Sequence, residues 1–325
     1  MDTFGFTLRP FPRGFQLIGR QVGSMTRALY VYERPFSTLP DDPDTLVLPL
    51  LEADRRAGGA YIGSQPVATD LPLLAFRGSI LRYAPMHFTR RLLRRTGTFS
   101  EFLQTMPGHT RQRLGRKARK ILALGGSDAF RVYQSPDEIE EFLRLAQELA
   151  PRTYQARLLD AQFLATEEAN ATVMAWAREG HAVAMNVVID GRAAAFHLFR
   201  LHPDGVLEGI CRGYDTAYAK LSVGLILDYF YFERCFFSDE RVTFLDWTEG
   251  DAENKRLFSN HSVRCAELFY LRLRAAPLSL LAADASIGAL RAASRPAIAA
   301  LRRGGYAGRV RRWLRRPPDV DDSPE

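Results

Sequence analysis

The sequence predicts an α+β fold built on a mixed sheet covered by helices. Three observations carry this. From Phe130 to Leu273 the patterns run strand, two helices, three strands, an apolar helix, strand, helix, strand. Asp190-Gly191 lies between two apolar runs, the strongest short hairpin signal, so the central strands form an antiparallel meander. The segment from about Ser222 to Phe236 is apolar nearly all round, as a helix buried against a sheet must be.

The elements follow in chain order. Residues 1 to about 106 mix short apolar runs with Pro and Gly breaks. There Arg27–Glu33 reads as a strand, and Thr45–Arg56 as a helix stopped by Gly58-Gly59. Leu73–Tyr83 reads as one or two strands bent near Gly78. A helix opens near Thr98-Phe99-Ser100-Glu101, with Ser100 as a candidate cap. Thr110–Leu124 is a basic helix ended by Gly125-Gly126. Phe130–Tyr133 is a short strand. Ser135-Pro136-Asp137-Glu138 then forms a full capping box for a helix to about Leu149. A second helix, about Glu167 to Glu179, stops at Gly180. Strands His181–Ile189, Arg192–Leu201 and Val206–Arg212 make the meander. After the buried helix come a strand (Val242–Trp247), a short helix (Ala252–Phe258) and a strand (Arg264–Leu273).

Composition narrows the function classes. The 325 residues carry a net charge of +7, which favours anionic partners such as coenzyme A phosphates, nucleic acid or an acidic membrane. The excess is concentrated. Arg111–Lys120 holds six basic residues and no acid, and Ser286–Pro318 holds nine arginines and no acid. Either run also suits a solvated helix face. The three cysteines, Cys211, Cys235 and Cys265, sit in apolar stretches without metal or redox spacing and read as free thiols of a reducing compartment. The start, Met1-Asp2-Thr3-Phe4, lacks the pattern of a secretory signal. No uncharged run reaches the roughly 18 residues that span a bilayer. A cytoplasmic protein is expected. No His/Cys/Asp cluster has metal spacing, so no metal is expected, and no GxSxG nucleophile elbow is present.

One turn stands out. The meander runs through Tyr218-Ala219-Lys220-Leu221-Ser222-Val223-Gly224-Leu225 straight into the buried helix. The start of a helix offers free N–H groups and partial positive charge to an anion. Gly224 admits a close backbone approach, Lys220 adds charge, and Ser222 can cap the helix or offer a hydroxyl. Locally, an ordinary capped helix start fits as well.

The order of elements around the turn favours the anion site, and longer motifs add a resemblance. Ile189-Asp190-Gly191-Arg192-Ala193-Ala194-Ala195-Phe196 resembles the dGrpvA hairpin of the CelD/BioF2-like acetyltransferase family. That family is a branch of the GNAT superfamily related to the FemAB aminoacyl transferases. Gly213-Tyr214-Asp215, Tyr218 and Ser222-Val223-Gly224 resemble its GYD…Y…SPG block. Phe244–Asp251 with Lys255 resembles its fDfl.G.e.yK block, and the basic helix Arg111–Lys120 its rr.irrk linker. The blocks keep family order over about residues 110 to 275. Val223 stands in place of the family Pro, and Asn254 in place of an aromatic before the Lys.

The resemblance implies a GNAT fold, organised as a tandem. A degenerate GNAT-like N-terminal lobe would take residues 1–106 and a basic connector helix 107–126. A complete GNAT acyltransferase domain would take 127–275 and a basic amphipathic tail 276–325. It implies acyl transfer from acetyl-CoA or another acyl-CoA to an N- or O-nucleophile of an envelope saccharide, lipid or amine. The diphosphate would sit on Lys220, Leu221, Ser222, Val223, Gly224 and Leu225. The pantetheine arm would lie along Val206–Arg212, read as an edge strand. Asp215 and Asp246 are candidates for base or orienter, although a turn or ion-pair role fits each equally. Tyr218, like Tyr214, can donate to substrate or fill the rim. Lys255 would stabilise developing charge or bind an anionic acceptor. His197, inside the run Ala195–Phe199, reads as a core histidine. Two alternatives stay open: a FemAB-like aminoacyl-tRNA-dependent transferase, the one case in which a nucleic acid (tRNA) is expected, and a non-catalytic GNAT-like module that associates with membrane. The tail, with Trp313 among arginines, suits peripheral contact with an acidic membrane.

Overall fold

The computed structural model describes residues 4–17, 20–153, 166–275, 277–283 and 285–286. The chain divides into two compact units. One comprises Met1–Gln65, Asp70–Met86 and Ala266–Glu325, the other Pro66–Thr69 and His87–Cys265. Neither expected boundary, after residue 106 or after 275, falls on this division. Residues 287–325, the bulk of the expected tail, lie outside the described residues.

The first unit is rich in strands. β1 (Phe6–Leu17) and β2 (Arg20–Tyr32) pair antiparallel along their length, and β3 (Gly59–Pro66) lies parallel to β2. Most of β1 escaped the sequence reading because Pro10, Pro12 and Gly14 break its pattern. An edge strand tolerates them, since one row of its N–H groups needs no partner. β4 (Leu74–Arg77) turns at Gly78, φ +60°, into β5 (Ile80–Arg94), and β11 (His261–Arg272) lies between β3 and β5. Gly59 is obligatory, because a Cβ there would fall 1.9 Å from the Tyr270 carbonyl oxygen. Arg272 donates to the carbonyls of Leu51, Asp54 and Ala57, fastening β11 to α1 (Asp44–Ala53) and the turn after it. These contacts place the end of β11 here rather than with the domain expected to run to 275.

The second unit holds β5-β10-β9-β8-β7-β6 in that order. α2 (Phe99–Gln104) is capped by Thr98, not Ser100. The Thr98 hydroxyl accepts from Glu101 N–H while Glu101 accepts from Thr98 N–H. α3 is Gly108–Gly125, β6 is Phe130–Tyr133, and α4 (Pro136–Leu149) carries the Ser135 and Glu138 box. α5 is Glu167–Arg178. β7 (Ala182–Ile189) and β8 (Arg192–Leu201) meet at Asp190 and Gly191, φ +51° and +74°, the two positive angles a type I′ turn demands. β9 (Val206–Tyr214) completes the meander. α6 (Val223–Tyr231) continues as a π turn over Phe232–Phe236. β10 (Phe244–Glu249) and α7 (Glu253–Leu257) follow.

Alternation along the strands builds two cores. Val183, Met185, Val187 and Phe199 share one cluster with Leu114 and Ile121 of α3 and Ile226 and Phe230 of α6. Ala182, Ala184 and Leu198 join the other with Ile139 and Phe142 of α4 and Val173 of α5. The basic helix α3 is therefore no connector. It buries Leu114, Ala118 and Ile121, spaced one helical face apart, in the same core as α6.

Candidate active site

β9 and β10 run parallel, but only Val206, Leu207 and Glu208 pair with Phe244, Leu245 and Asp246. Past that point β9 continues to Tyr214 with no partner on its β10 side among the described residues. β9 is thus no edge strand. It is an inner strand whose far half is opened by divergence from β10.

The chain beyond β9 makes the expected turn in an unexpected way. Asp215 accepts from Ala217 N–H at 2.9 Å and caps a 3-10 turn over Thr216–Leu221. Ser222 then adopts a left-handed conformation, φ +55° and ψ +43°, and α6 begins at Val223. Ser222 does not cap α6 with its side chain; its hydroxyl accepts from Lys117 Nζ of α3 at 2.6 Å.

A cavity of about 760 Å³ opens onto this helix start. Ser222, Val223, Gly224 and Leu225 line it, as do Arg113 and Lys117 of α3, Arg212 and Tyr214 of β9, and Lys255 of α7. Four cations therefore face it, against one carboxylate, Glu253. Arg113, Lys117 and Lys255 form no ion pair among the described residues. The counter-charge of Arg212 is Asp228, 3.1 Å away inside α6.

Lys255 is held by the backbone. Its Nζ donates to the carbonyls of Trp247 and Glu249, each at 2.5 Å. The two carbonyls converge because β10 bulges there and Thr248 is left-handed, φ +60°. Burial pulls the ammonium pKa down to about 8. Arg212 and Arg90 act in the same direction, while Asp246 and Glu249 oppose them.

The remaining predicted residues lie off this lining. Lys220 is exposed, Leu221 and Tyr218 pack half-buried on the core, and Lys117 supplies the charge expected of Lys220. Asp215 is buried as a cap and pairs with Arg152 at 3.3 Å. Asp246 is buried in a two-pronged pair with Arg90, Oδ2 to Nη2 at 2.6 Å and Oδ1 to Nε at 3.1 Å, and also accepts from Thr248 N–H. Desolvation lifts its carboxyl above the ordinary value, against the pull of Arg90. Glu208, 3.8 Å from Arg90, accepts from His202 at 2.9 Å. Burial would raise Glu208, yet His202 and then Arg90 hold it below the usual range.

Sequence reasoning missed Arg113, Lys117 and Arg212. Arg113 and Lys117 could have been found, since they stand four apart on the cationic helix and so share a face. Arg212 carried no signal, because β9 was read for its backbone alone. None of the three cysteines lines the cavity, and burial pushes the Cys211 and Cys265 thiols up to about 12. Among the described residues no His/Cys/Asp/Glu group is placed to hold a metal, and no helix is long and apolar enough to cross a membrane.

Known proteins are similar to the chain in sequence model and in fold. Residues 108–256 match the family model described as an acetyltransferase (GNAT) domain. The crystal structure of FemX is similar at 10% identity with a TM-score of 0.51, over 85% of this chain and 90% of that one. The C-terminal DUF2156 domain of an Agrobacterium fabrum protein, named for lysylphosphatidylglycerol synthetase, matches at 12% identity and TM-score 0.49, over 81% and 84%. No curated protein matches the sequence. The unit that holds the cavity has the GNAT fold, and residues 108–256 are similar to the acetyltransferase (GNAT) domain family.

Proposed function

We propose that this chain is an acyl-CoA-dependent acyltransferase of the CelD/BioF2-like branch, with acetyl-CoA as the first donor to test. The observation that carries the reading is the cavity: about 760 Å³, open to the start of α6, with four cations against one carboxylate. The diphosphate of coenzyme A would rest on Ser222–Leu225 beside Lys117, where unsatisfied N–H groups and the helix dipole favour negative charge. The thioester arm would follow the unpaired half of β9, whose open backbone can bind it by hydrogen bonds. Lys255 would meet charge developing on the thioester or on an anionic acceptor. Asp246 would act on Lys255 from behind Arg90 rather than touch substrate.

Titration calorimetry with coenzyme A tests this directly. Saturable binding is expected, and Gly224→Asp should abolish it by putting a carboxylate at the helix start. A folded Gly224→Asp protein with unchanged affinity would remove the turn from the site. Acceptor screening with acetyl-CoA, read by free thiol release, then addresses the saccharide, lipid and amine classes. Lys255→Ala should lower turnover more than donor affinity.

A second reading takes aminoacyl-tRNA as donor. It draws on α3, where Arg111, Arg116, Arg119 and Lys120 are exposed without a salt bridge among the described residues. Binding of tRNA that falls steeply with salt, without coenzyme A binding, would favour it. Contact of the basic tail with acidic membrane belongs to either reading and is checked by liposome flotation with and without residues 278–325.

A further inference from the structure

A buried chain of three side chains stands behind the cavity wall. Asp228 of α6 is fully buried, with Oδ1 3.0 Å from His197 Nδ1 and Oδ2 3.1 Å from Arg212 Nη1. His197 and Arg212 face each other across β8 and β9, so both side chains rise on the side where α6 lies. Arg212 Nη2 donates to the Gly224 carbonyl at 3.1 Å. A Cβ on Gly224 would come within 3.2 Å of that nitrogen, so the missing side chain makes room for the guanidinium.

Two physical points set this chain apart from an ordinary internal ion pair. Burying a carboxylate costs several kcal/mol and its partner returns little net stability, so such a pair is weak evidence for a stabilising role. Also, Arg212 Nη1 and Asp228 Oδ2 are close but off the angle for a hydrogen bond, and neither finds another partner. Arg212 lines the cavity with a side chain 26% exposed, its Nη1 buried against Asp228 and its Nη2 on the Gly224 carbonyl, so charge restrains it from behind.

We propose that Arg212 grips a phosphate or carboxylate group of the cavity's ligand, and that Asp228 and His197 are positioning residues that aim its guanidinium. This rests on the reading of the cavity as an anion site. The planar fork of arginine suits either oxyanion, which can come from the donor's diphosphate or from an acceptor.

Calorimetry on the full chain with two probes tests it: coenzyme A, then inorganic phosphate with coenzyme A already bound. If Arg212 holds the donor, Arg212→Gln weakens coenzyme A about 10- to 100-fold, the range of a charged hydrogen bond. If it holds the acceptor's anion, coenzyme A is unaffected and phosphate binding is lost. In either case Asp228→Asn should mimic Arg212→Gln, and the double variant should be no worse than Arg212→Gln alone. Should Asp228→Asn not fold, His197 carries the test. His197→Leu should weaken the same probe, and His197→Asn, which keeps a donor toward Asp228, should restore it. Unaltered binding of both probes by Arg212→Gln, or additive losses in the double variant, overturns the proposal while leaving the cavity reading intact. Wild-type protein that binds neither probe overturns the cavity reading itself.

Discussion

Two buried aspartates of the second unit, Asp246 and Asp228, each face an arginine from a neighbouring strand, and the two pairs are built to opposite ends. Asp246 and Arg90 are both sealed, joined by two well-formed hydrogen bonds and flanked by Glu208 and His202. Asp228 is equally sealed, but its partner Arg212 lines a cavity, keeps 26% of its side chain exposed and meets the carboxylate off-angle. The first pair spends its donors internally and locks β5 to β10. The second buries its carboxylate and leaves a partly exposed arginine at the cavity. The same two residue types give a bolt or a presented cation, according to whether the guanidinium's hydrogen bonds close among themselves.

The widest gap between the two pairs should appear in stability. Arg90→Met leaves Asp246 buried without a counter-charge and should cost about 3–5 kcal/mol in urea unfolding. A loss under about 1 kcal/mol would mean the carboxylate is protonated and the bolt is imaginary. Arg212→Gln should cost less, about 1–2 kcal/mol, because His197 still donates to Asp228. Arg212 also works against protonation of His197, which burial already holds below its ordinary value. The imidazole pKa, followed by NMR, should therefore rise in Arg212→Gln; a static imidazole would uncouple the three groups.

Lys255 sharpens the contrast through pH. Protonated below about 8, it can hold an anion; above that it is neutral and the attraction goes. Ligand affinity should fall up to about tenfold as pH rises through this value, roughly the worth of one ion contact. Lys255→Arg should extend the plateau to higher pH. A rate that instead rises through the same pH would make Lys255 a base. The smallest effect belongs to Ser222→Gly. Relief of the left-handed serine should add up to about 1 kcal/mol of stability, offset in part by freeing Lys117. A net loss by thermal melting would show that the Lys117 contact dominates.

How much of this was legible before folding depended on distance along the chain. The Ser135 and Glu138 box, the Asp190-Gly191 turn and the strand Phe130–Tyr133 are written within a few residues and folded as read. The turn at Ser222–Leu225 was also visible, because a Gly opening an apolar helix is a local pattern. The lining was not. Arg90 and Asp246 are 156 positions apart and Lys117 and Ser222 are 105, and no periodicity links residues brought together only by strand order. The same blindness made α3 a connector, since its charge was conspicuous and its one apolar face, Leu114, Ala118 and Ile121, was overlooked. Asp215 and Asp246 were chosen as carboxylates at strand ends; sequence does not reveal that Arg152 and Arg90 already hold them.

The bulge at Thr248 has a consequence for the chemistry of the cavity. It turns two backbone carbonyls toward one amine, and an amine that has lost a proton still carries two N–H groups, enough for both. Lys255 can thus discharge without releasing its anchors. The wall keeps its shape while its charge drops by one, and the vacated direction offers a lone pair in place of a proton.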